Sequence, residues 1–65
     1  MSRRPLTGRE QQISALVATG MSNKAIAAEL GITEQSVKNM LQRTFEKTGV
    51  SNRTELALWI LKVAA

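Results

Sequence analysis

The sequence predicts a single all-α domain of about four helices, and three observations support this. Apolar residues recur at helical spacing in four segments, each of which follows a residue that favours a helix N-terminus. Glycine and proline stand only near the boundaries of these segments, and no segment alternates as a half-buried strand would. With 65 residues, the chain has the length of one domain.

The first two helices are predicted from their terminal residues. Thr7 and Glu10 form a Thr-x-x-Glu capping box, which starts the first helix. Ser22 or Asn23 is expected to cap the second helix, which ends at Gly31. This second helix is too short to persist alone in water, so it must pack against the rest of the domain.

The third and fourth helices are predicted in the same way. Thr33 is expected to cap a third helix over residues 34–47, and Ser51 or Asn52 to begin the fourth. Gly20 and Gly49 are expected to end the first and third helices with left-handed backbone. The predicted apolar face of the third helix comprises Val37, Met40, Leu41, Thr44 and Phe45.

The residues around Gly31 predict a helix-turn-helix. Ala27 is small enough for the second helix to cross closely over the third, and Gly31 permits the positive φ of a tight turn. Ile32 and Val37 are expected to fill the angle between the helices. In a helix-turn-helix the second helix enters the DNA major groove, although any corner between two helices could show a glycine with aliphatic neighbours.

The outward face of the third helix favours DNA over an ordinary solvated surface. Solvated helix faces usually mix Glu with Lys and Arg, but no acidic residue occurs between Gln35 and Arg43. Amide side chains pair with adenine, and lysine pairs with the acceptors of guanine. The residues expected to contact bases are Gln35, Lys38, Asn39 and Gln42.

Hydroxyl, amide and cationic side chains that suit DNA phosphates surround this face. Each of them singly could equally be a helix cap or a solubilising residue. Together with the free N–H groups of helix N-termini, they form a patch suited to the DNA backbone. The residues expected to contact phosphates are Ser22, Asn23, Lys24, Thr33, Ser36, Arg43 and Lys47.

Composition agrees with a polyanionic partner and argues against catalysis. Nine Lys and Arg against five acidic residues give a net charge of +4, which favours a polyanion or an acidic surface. Because histidine and cysteine are absent, we expect no enzyme, no metal and no cofactor. The longest apolar run, residues 56–61, is far below the roughly 20 residues that span a bilayer, and no apolar signal region is present. We therefore expect a cytoplasmic protein without a membrane partner.

The fourth helix has more apolar surface than a core requires. An inward stripe that includes Leu56 and Ile60 suffices for the core, and it leaves a second apolar stripe. The expected partner of that stripe is another copy, in a homodimer that is weak without DNA. Alternatively, the N-terminal arm could cover it, or Trp59 could cap the core. The residues expected at the dimer interface are Thr54, Leu58, Trp59 and Leu61.

Four ordered segments resemble the LuxR-type, or GerE-type, helix-turn-helix domain of bacterial transcription regulators. They are LTGRE (residues 6–10), GMSNKAIA (20–27), ITEQSVKN (32–39) and KTGVSNRTELA (47–57). This resemblance implies a four-helix domain with its third helix in the major groove and dimerisation through the fourth. It also implies that a receiver or ligand-binding domain could precede residues 6–65 in a longer chain, with residues 1–5 as an arm or linker remnant.

Two residues depart from the family pattern. Met40 stands where the family most often has a His or another polar or aromatic residue, so a phosphate contact is expected to be missing there. Thr48 replaces the usual Leu, and its inward angle predicts a weakened core. The resemblance also favours a structural ion pair between Glu10 and Arg53 over a DNA contact by either residue.

The sequence alone also allows other classes of partner. A small protein-interaction module could dock an acidic or helical partner through the fourth helix. Single-stranded nucleic acid is disfavoured because base stacking requires aromatic side chains, and only Phe45 and Trp59 are present. The function that the sequence favours is sequence-specific binding of double-stranded DNA for transcription regulation.

Overall fold

The computed structural model describes the backbone of residues 6–64 and the side chains of residues 6–62. Within these residues, four α-helices follow one another: α1 (Gly8–Ala18), α2 (Asn23–Leu30), α3 (Glu34–Thr48) and α4 (Arg53–Ala64). The predicted all-α fold is confirmed. The predicted N-terminal arm, residues 1–5, lies outside the described residues. Within residues 6–64, none of the helices has the length and hydropathy that crossing a membrane requires.

Side-chain hydrogen bonds confirm the predicted starts of the first three helices. Thr7 Oγ1 accepts from the N–H of Glu10 at 3.2 Å, and Glu10 Oε1 accepts from the N–H of Thr7 at 2.9 Å. These two bonds complete the capping box of α1. The N-cap of α2 is Ser22 rather than Asn23, and the N-cap of α3 is Thr33.

The fourth helix begins with a similar pair of bonds. Asn52 Oδ1 accepts from the N–H of Glu55 at 2.9 Å, and Glu55 Oε1 accepts from the N–H of Ser51 at 2.7 Å. Of the two candidates for the cap, Asn52 is therefore the residue whose side chain satisfies a free N–H of the first turn.

The turn between α2 and α3 closes at Gly31, whose φ is 68°. The N–H groups of Gly31 and Ile32 both donate to the carbonyl of Ala27. A Cβ atom at Gly31 would meet nothing within 4 Å, so glycine is required there for its backbone conformation and not for space. Gly20 and Gly49 have φ of 89° and 79°, as predicted for helix ends.

The core forms where α1 packs against α3 and α4, while α2 packs across α3. Its buried apolar residues are Ile13, Val17, Ile26, Ala27, Val37, Leu41 and Leu56. Met40 and Phe45 pack against this core and Thr44 is buried, which confirms the predicted apolar face of α3. Thr48 is buried as its inward angle predicted, and its hydroxyl donates to the carbonyl of Thr44 at 2.8 Å.

The predicted ion pair between Glu10 and Arg53 is wrong. Glu10 Oε1 lies 2.7 Å from the ammonium Nζ of Lys47, and this contact joins the first turn of α1 to the last turn of α3. Arg53 instead donates to the side chain of Asn23 and the carbonyl of Met21, at the N-terminus of α2. The packing of α3 against α1, and not the spacing of residues along the chain, brings Lys47 to Glu10.

Burial and pairing act in opposite directions on Glu10. Burial raises the pKa of its carboxyl group, whereas the hydrogen bonds from Lys47 and Thr7 and the charge of Lys47 lower that pKa. The net result is a pKa below the ordinary value of a glutamate. Glu10 is therefore held ionised as part of the scaffold.

Candidate nucleic-acid interface

The residues predicted to contact bases lie together on the exposed side of α3. This helix buries Val37 and Leu41 in the core. Its period of about 3.6 residues carries the intervening polar positions to the opposite side. We call these four exposed residues the recognition face: Gln35, Lys38, Asn39 and Gln42.

One hydrogen bond orders part of the recognition face. Gln35 Nε2 donates to Asn39 Oδ1 at 3.0 Å, one helical turn further along α3. An amide oxygen has two lone pairs, so Asn39 keeps one acceptor site and both of its N–H donors. Asn39 therefore retains the donor and acceptor that a bidentate contact with adenine requires.

The residues predicted to contact phosphates differ in exposure and in their existing bonds. Ser36 and Thr33 are bonded to each other, with the Thr33 hydroxyl donating to Ser36 Oγ at 2.9 Å. The ammonium group of Lys47 is held by Glu10. Ser22, Lys24, Thr33 and Arg43 are exposed, whereas Asn23, Ser36 and Lys47 are half-buried.

Two grooves meet at the N-terminus of α2. One has a volume of about 460 Å³ and is lined by the loop before α2, Lys24 and Glu34. The other, about 280 Å³, runs between α2 and α3 and has Lys38 and Gln42 of the recognition face in its wall. Asn23 and Arg53 line both grooves and are bonded to each other. The recognition face and the start of α2 thus border one continuous surface.

The charge of this surface is positive along α3. Lys38 and Arg43 are exposed, and no acidic residue lies between them or elsewhere in residues 35–45. Glu34 precedes this stretch, in the first turn of α3, where a negative charge interacts favourably with the helix dipole. An anion that approached α3 would therefore meet cations and amide donors.

The outer side of α4 carries large exposed apolar residues. Leu58 is 63% exposed and Leu61 is 59% exposed. Thr54 is exposed too, and its spacing from the two leucines places all three on one stripe of the helix. We call Thr54, Leu58 and Leu61 the α4 stripe. Trp59, which was predicted to lie at the same interface, is half-buried and packs against the core.

The role of Arg53 was missed at the level of the sequence. Its bonds join residues that are 30 and 32 positions apart, and no spacing rule relates them. The capping pair of α4 did leave a signal, because Asn52 and Glu55 have the Asn-x-x-Glu spacing of a capping box.

Comparison with known proteins extends this description. A family described as bacterial regulatory proteins, luxR family, matches residues 4–60 of the chain. Transcriptional regulatory protein UhpA of Escherichia coli strain K12 is 49% identical over 53 residues, which are 82% of this chain and 27% of that protein.

Two further relatives show a similar match. Response regulator Rre1 of Synechocystis is 43% identical over 56 residues, 86% of this chain and 24% of that protein. The nitrate/nitrite response regulator protein NarL of Escherichia coli strain K12 is 42% identical over 55 residues, 85% of this chain and 26% of that protein. The chain therefore spans about a quarter of the length of the curated relatives that it matches.

Proposed function

The chain belongs to the LuxR family of bacterial regulatory proteins, a family of DNA-binding transcription regulators, and we propose that it binds double-stranded DNA sequence-specifically to regulate transcription. The observation that carries this proposal is the recognition face. It lies on the second helix of a helix-turn-helix, it is exposed, and it consists of amides and a lysine without an acidic neighbour.

In this proposal α3 lies in the major groove and reads bases. Asn39 is suited to adenine through its free N–H groups and remaining acceptor site, and Lys38 is suited to the acceptors of guanine. Gln35 and Gln42 flank them and contribute further amide contacts. Most of the discrimination between sequences would therefore come from Lys38 and Asn39.

Phosphate contacts hold α3 in this position. Ser22 and Lys24 at the start of α2, together with the N–H groups of that helix end, face one DNA strand. Thr33 and Arg43 extend the contact along α3. Asn23, Ser36 and Lys47 belong to the same predicted set. Of these three, Lys47 is expected to contribute least because Glu10 already neutralises it.

Two copies are proposed to associate through the α4 stripe. Packing of two α4 helices about a two-fold axis would separate two recognition helices by about 34 Å, one turn of DNA, and would favour inverted-repeat operators. Support comes from the exposure of Leu58 and Leu61 on a helix whose other side already contributes Leu56 to the core. The area is small, so the dimer is expected to be weak until DNA holds both copies.

The proposal extends to the setting of the domain. Because the relatives are about four times longer and two of them are named response regulators, we propose that this domain functions beside a receiver or ligand-binding domain. We also propose a cytoplasmic location, because bacterial DNA lies in the cytoplasm.

Selection from a pool of random-sequence duplexes, followed by a salt titration, tests the function. We expect one sequence to be enriched, and the logarithm of its association constant to fall linearly with the logarithm of salt concentration, by about 0.9 for each phosphate neutralised. Absence of enrichment, together with affinity that is indifferent to salt, would contradict DNA binding. That result would favour the alternative, a module that docks a protein partner through the exposed leucines of α4.

A further inference from the structure

Arg53 joins the start of α4 to the start of α2. Its Nη1 donates to Oδ1 of the Asn23 side chain, and its Nη2 donates to the carbonyl oxygen of Met21 at 2.6 Å. Arg53 is half-buried and lines both grooves that meet at the N-terminus of α2. One planar cation therefore fixes the loop that enters α2 and the first residue of that helix.

This bond decides the orientation of the Asn23 amide. An arginine side chain can only donate hydrogen bonds, so Asn23 must turn its oxygen toward Arg53. The two N–H groups of the same amide then point away from the guanidinium group. Asn23 lines both grooves, so these donors lie where the two grooves meet. Without a fixed donor beside it, an asparagine amide can present either its oxygen or its nitrogen.

The polar groups that line the groove between α2 and α3 suit an anion when Asn23 presents its nitrogen. Lys38, Gln42 and Arg53 line this groove with Asn23, beside the apolar side chains of Leu41 and Phe45. An amide oxygen at Asn23 would instead repel a phosphate oxygen. The orientation of this amide therefore affects whether the start of α2 and the recognition face can receive one DNA strand together.

We propose that Arg53 is a positioning residue for DNA binding, which orients the Asn23 amide to donate to a backbone phosphate and does not itself contact the DNA. This inference rests on the proposed function. Two terminal nitrogens of Arg53 are already bonded to the protein, which supports an indirect role. Any effect of Arg53 on affinity should then pass through Asn23.

A double-mutant cycle tests that dependence. The variants are Arg53→Met, Asn23→Ala and the double variant, measured at low salt with a mixed-sequence duplex of about two helical turns. Lys62→Gln is the matched control, because it removes one positive charge near the other end of the same helix. All affinities are measured well below each variant's melting temperature, so that only folded protein is compared.

We expect each single variant to lower affinity by about fivefold or more, as for loss of one charge-assisted hydrogen bond. The double variant should bind no more weakly than the weaker single variant, since both changes remove the same contact. Arg53→Lys should bind with intermediate affinity, since one ammonium group can still donate to Asn23. Lys62→Gln should change affinity less than Arg53→Met does.

Losses that multiply in the double variant, with a salt slope lowered by about 0.9 in Arg53→Met, would instead show a direct phosphate contact and overturn the inference. A lower melting temperature with unchanged affinity would overturn it as well, because Arg53 would then be purely structural.

A spectroscopic measurement on the unmodified chain applies even if Arg53→Met does not fold. The side-chain amide resonances of Asn23 should shift when the duplex is added, together with the backbone resonances of α3. If α3 resonances shift and those of Asn23 do not, the inference fails while the proposed function stands. If the chain does not bind the duplex at all, both fail.

Discussion

The recognition face and the α4 stripe are both left exposed by the core, but their chemistry is opposite. Lys38 and Asn39 lie on a helix whose other side buries Val37, while Leu58 and Leu61 lie on a helix whose other side buries Leu56. Folding needs only one side of each helix, so it does not dictate the composition of the other. This difference in chemistry is the basis for proposing two different partners, DNA for the recognition face and a second copy of the chain for the α4 stripe.

The two surfaces should also differ in how strongly their contacts depend on salt concentration. Contacts with phosphates weaken as salt rises, because bound counterions are released on binding. Burial of Leu58 and Leu61 should depend far less on salt, since it removes apolar area from water. Substitutions confined to one surface can therefore separate the two functions.

The largest effect is expected for Leu58→Glu, which places a charge in the α4 stripe. The monomer should stay folded because Leu58 is 63% exposed. Affinity for a duplex with two half-sites should fall by about a hundredfold, the gain that linking two binding events commonly provides. Affinity for a single half-site should change little. Both are measured by titration of the enriched duplex and of its half-site.

Equal losses on the two duplexes would remove the dimer hypothesis. The exposed leucines would then be assigned to contact with another part of a longer protein. Gln12→Glu, which adds the same charge at an exposed position of α1, is a control for general effects of charge.

The next largest effect is expected for Asn39→Ala on the recognition face. A bidentate base contact is worth about 1–3 kcal/mol of discrimination, so preference at one or two base pairs should relax by that amount. The salt dependence should hardly change, because the residue is uncharged. Competition between the enriched duplex and single-base variants measures the effect. Full retention of sequence preference would show that α3 is oriented differently.

Lys24→Ala should have a smaller and more uniform effect. Lys24 is exposed at the start of α2, where a phosphate contact carries no sequence information. Affinity should fall for every duplex, and the slope against salt should decrease by about one unit. Arg43→Ala should behave alike. A change in base preference without a change in the salt slope would show that these residues contact bases and not phosphates.

The sequence predicted the helix caps and the turn better than it predicted the contacts between helices. Caps at Thr7 and Thr33 and the turn at Gly31 are local, so neighbouring residues suffice to predict them. The partners of Glu10 and Arg53 depend on how α1 and α2 pack against α3 and α4. Helical periodicity does not select the cation that pairs with Glu10 or the acceptors that Arg53 meets. Trp59 is a similar case, since its half-buried position depends on the packing of α4.

The smallest effect is expected for Glu10→Gln, which changes the scaffold between the two surfaces. This change keeps an oxygen for the N–H of Thr7 but removes the ion pair with Lys47, so about 1 kcal/mol of unfolding free energy should be lost at neutral pH. In a domain of this size that lowers Tm by about 4–8 °C. Binding to the enriched duplex should not weaken at temperatures where both proteins are folded, because Glu10 contacts neither surface and its replacement only leaves the charge of Lys47 without its partner.

The pH dependence of this stability identifies its origin. The folded pKa of Glu10 lies below the ordinary pKa of a glutamate, so the stabilisation is complete above that ordinary pKa and is lost as pH falls through the folded pKa. The difference in unfolding free energy between the two proteins should therefore be constant near neutrality and shrink in acid. Denaturant titrations across this range measure it. If Glu10→Gln instead kept its Tm and abolished DNA binding, Glu10 would belong to the DNA-binding surface and not to the scaffold.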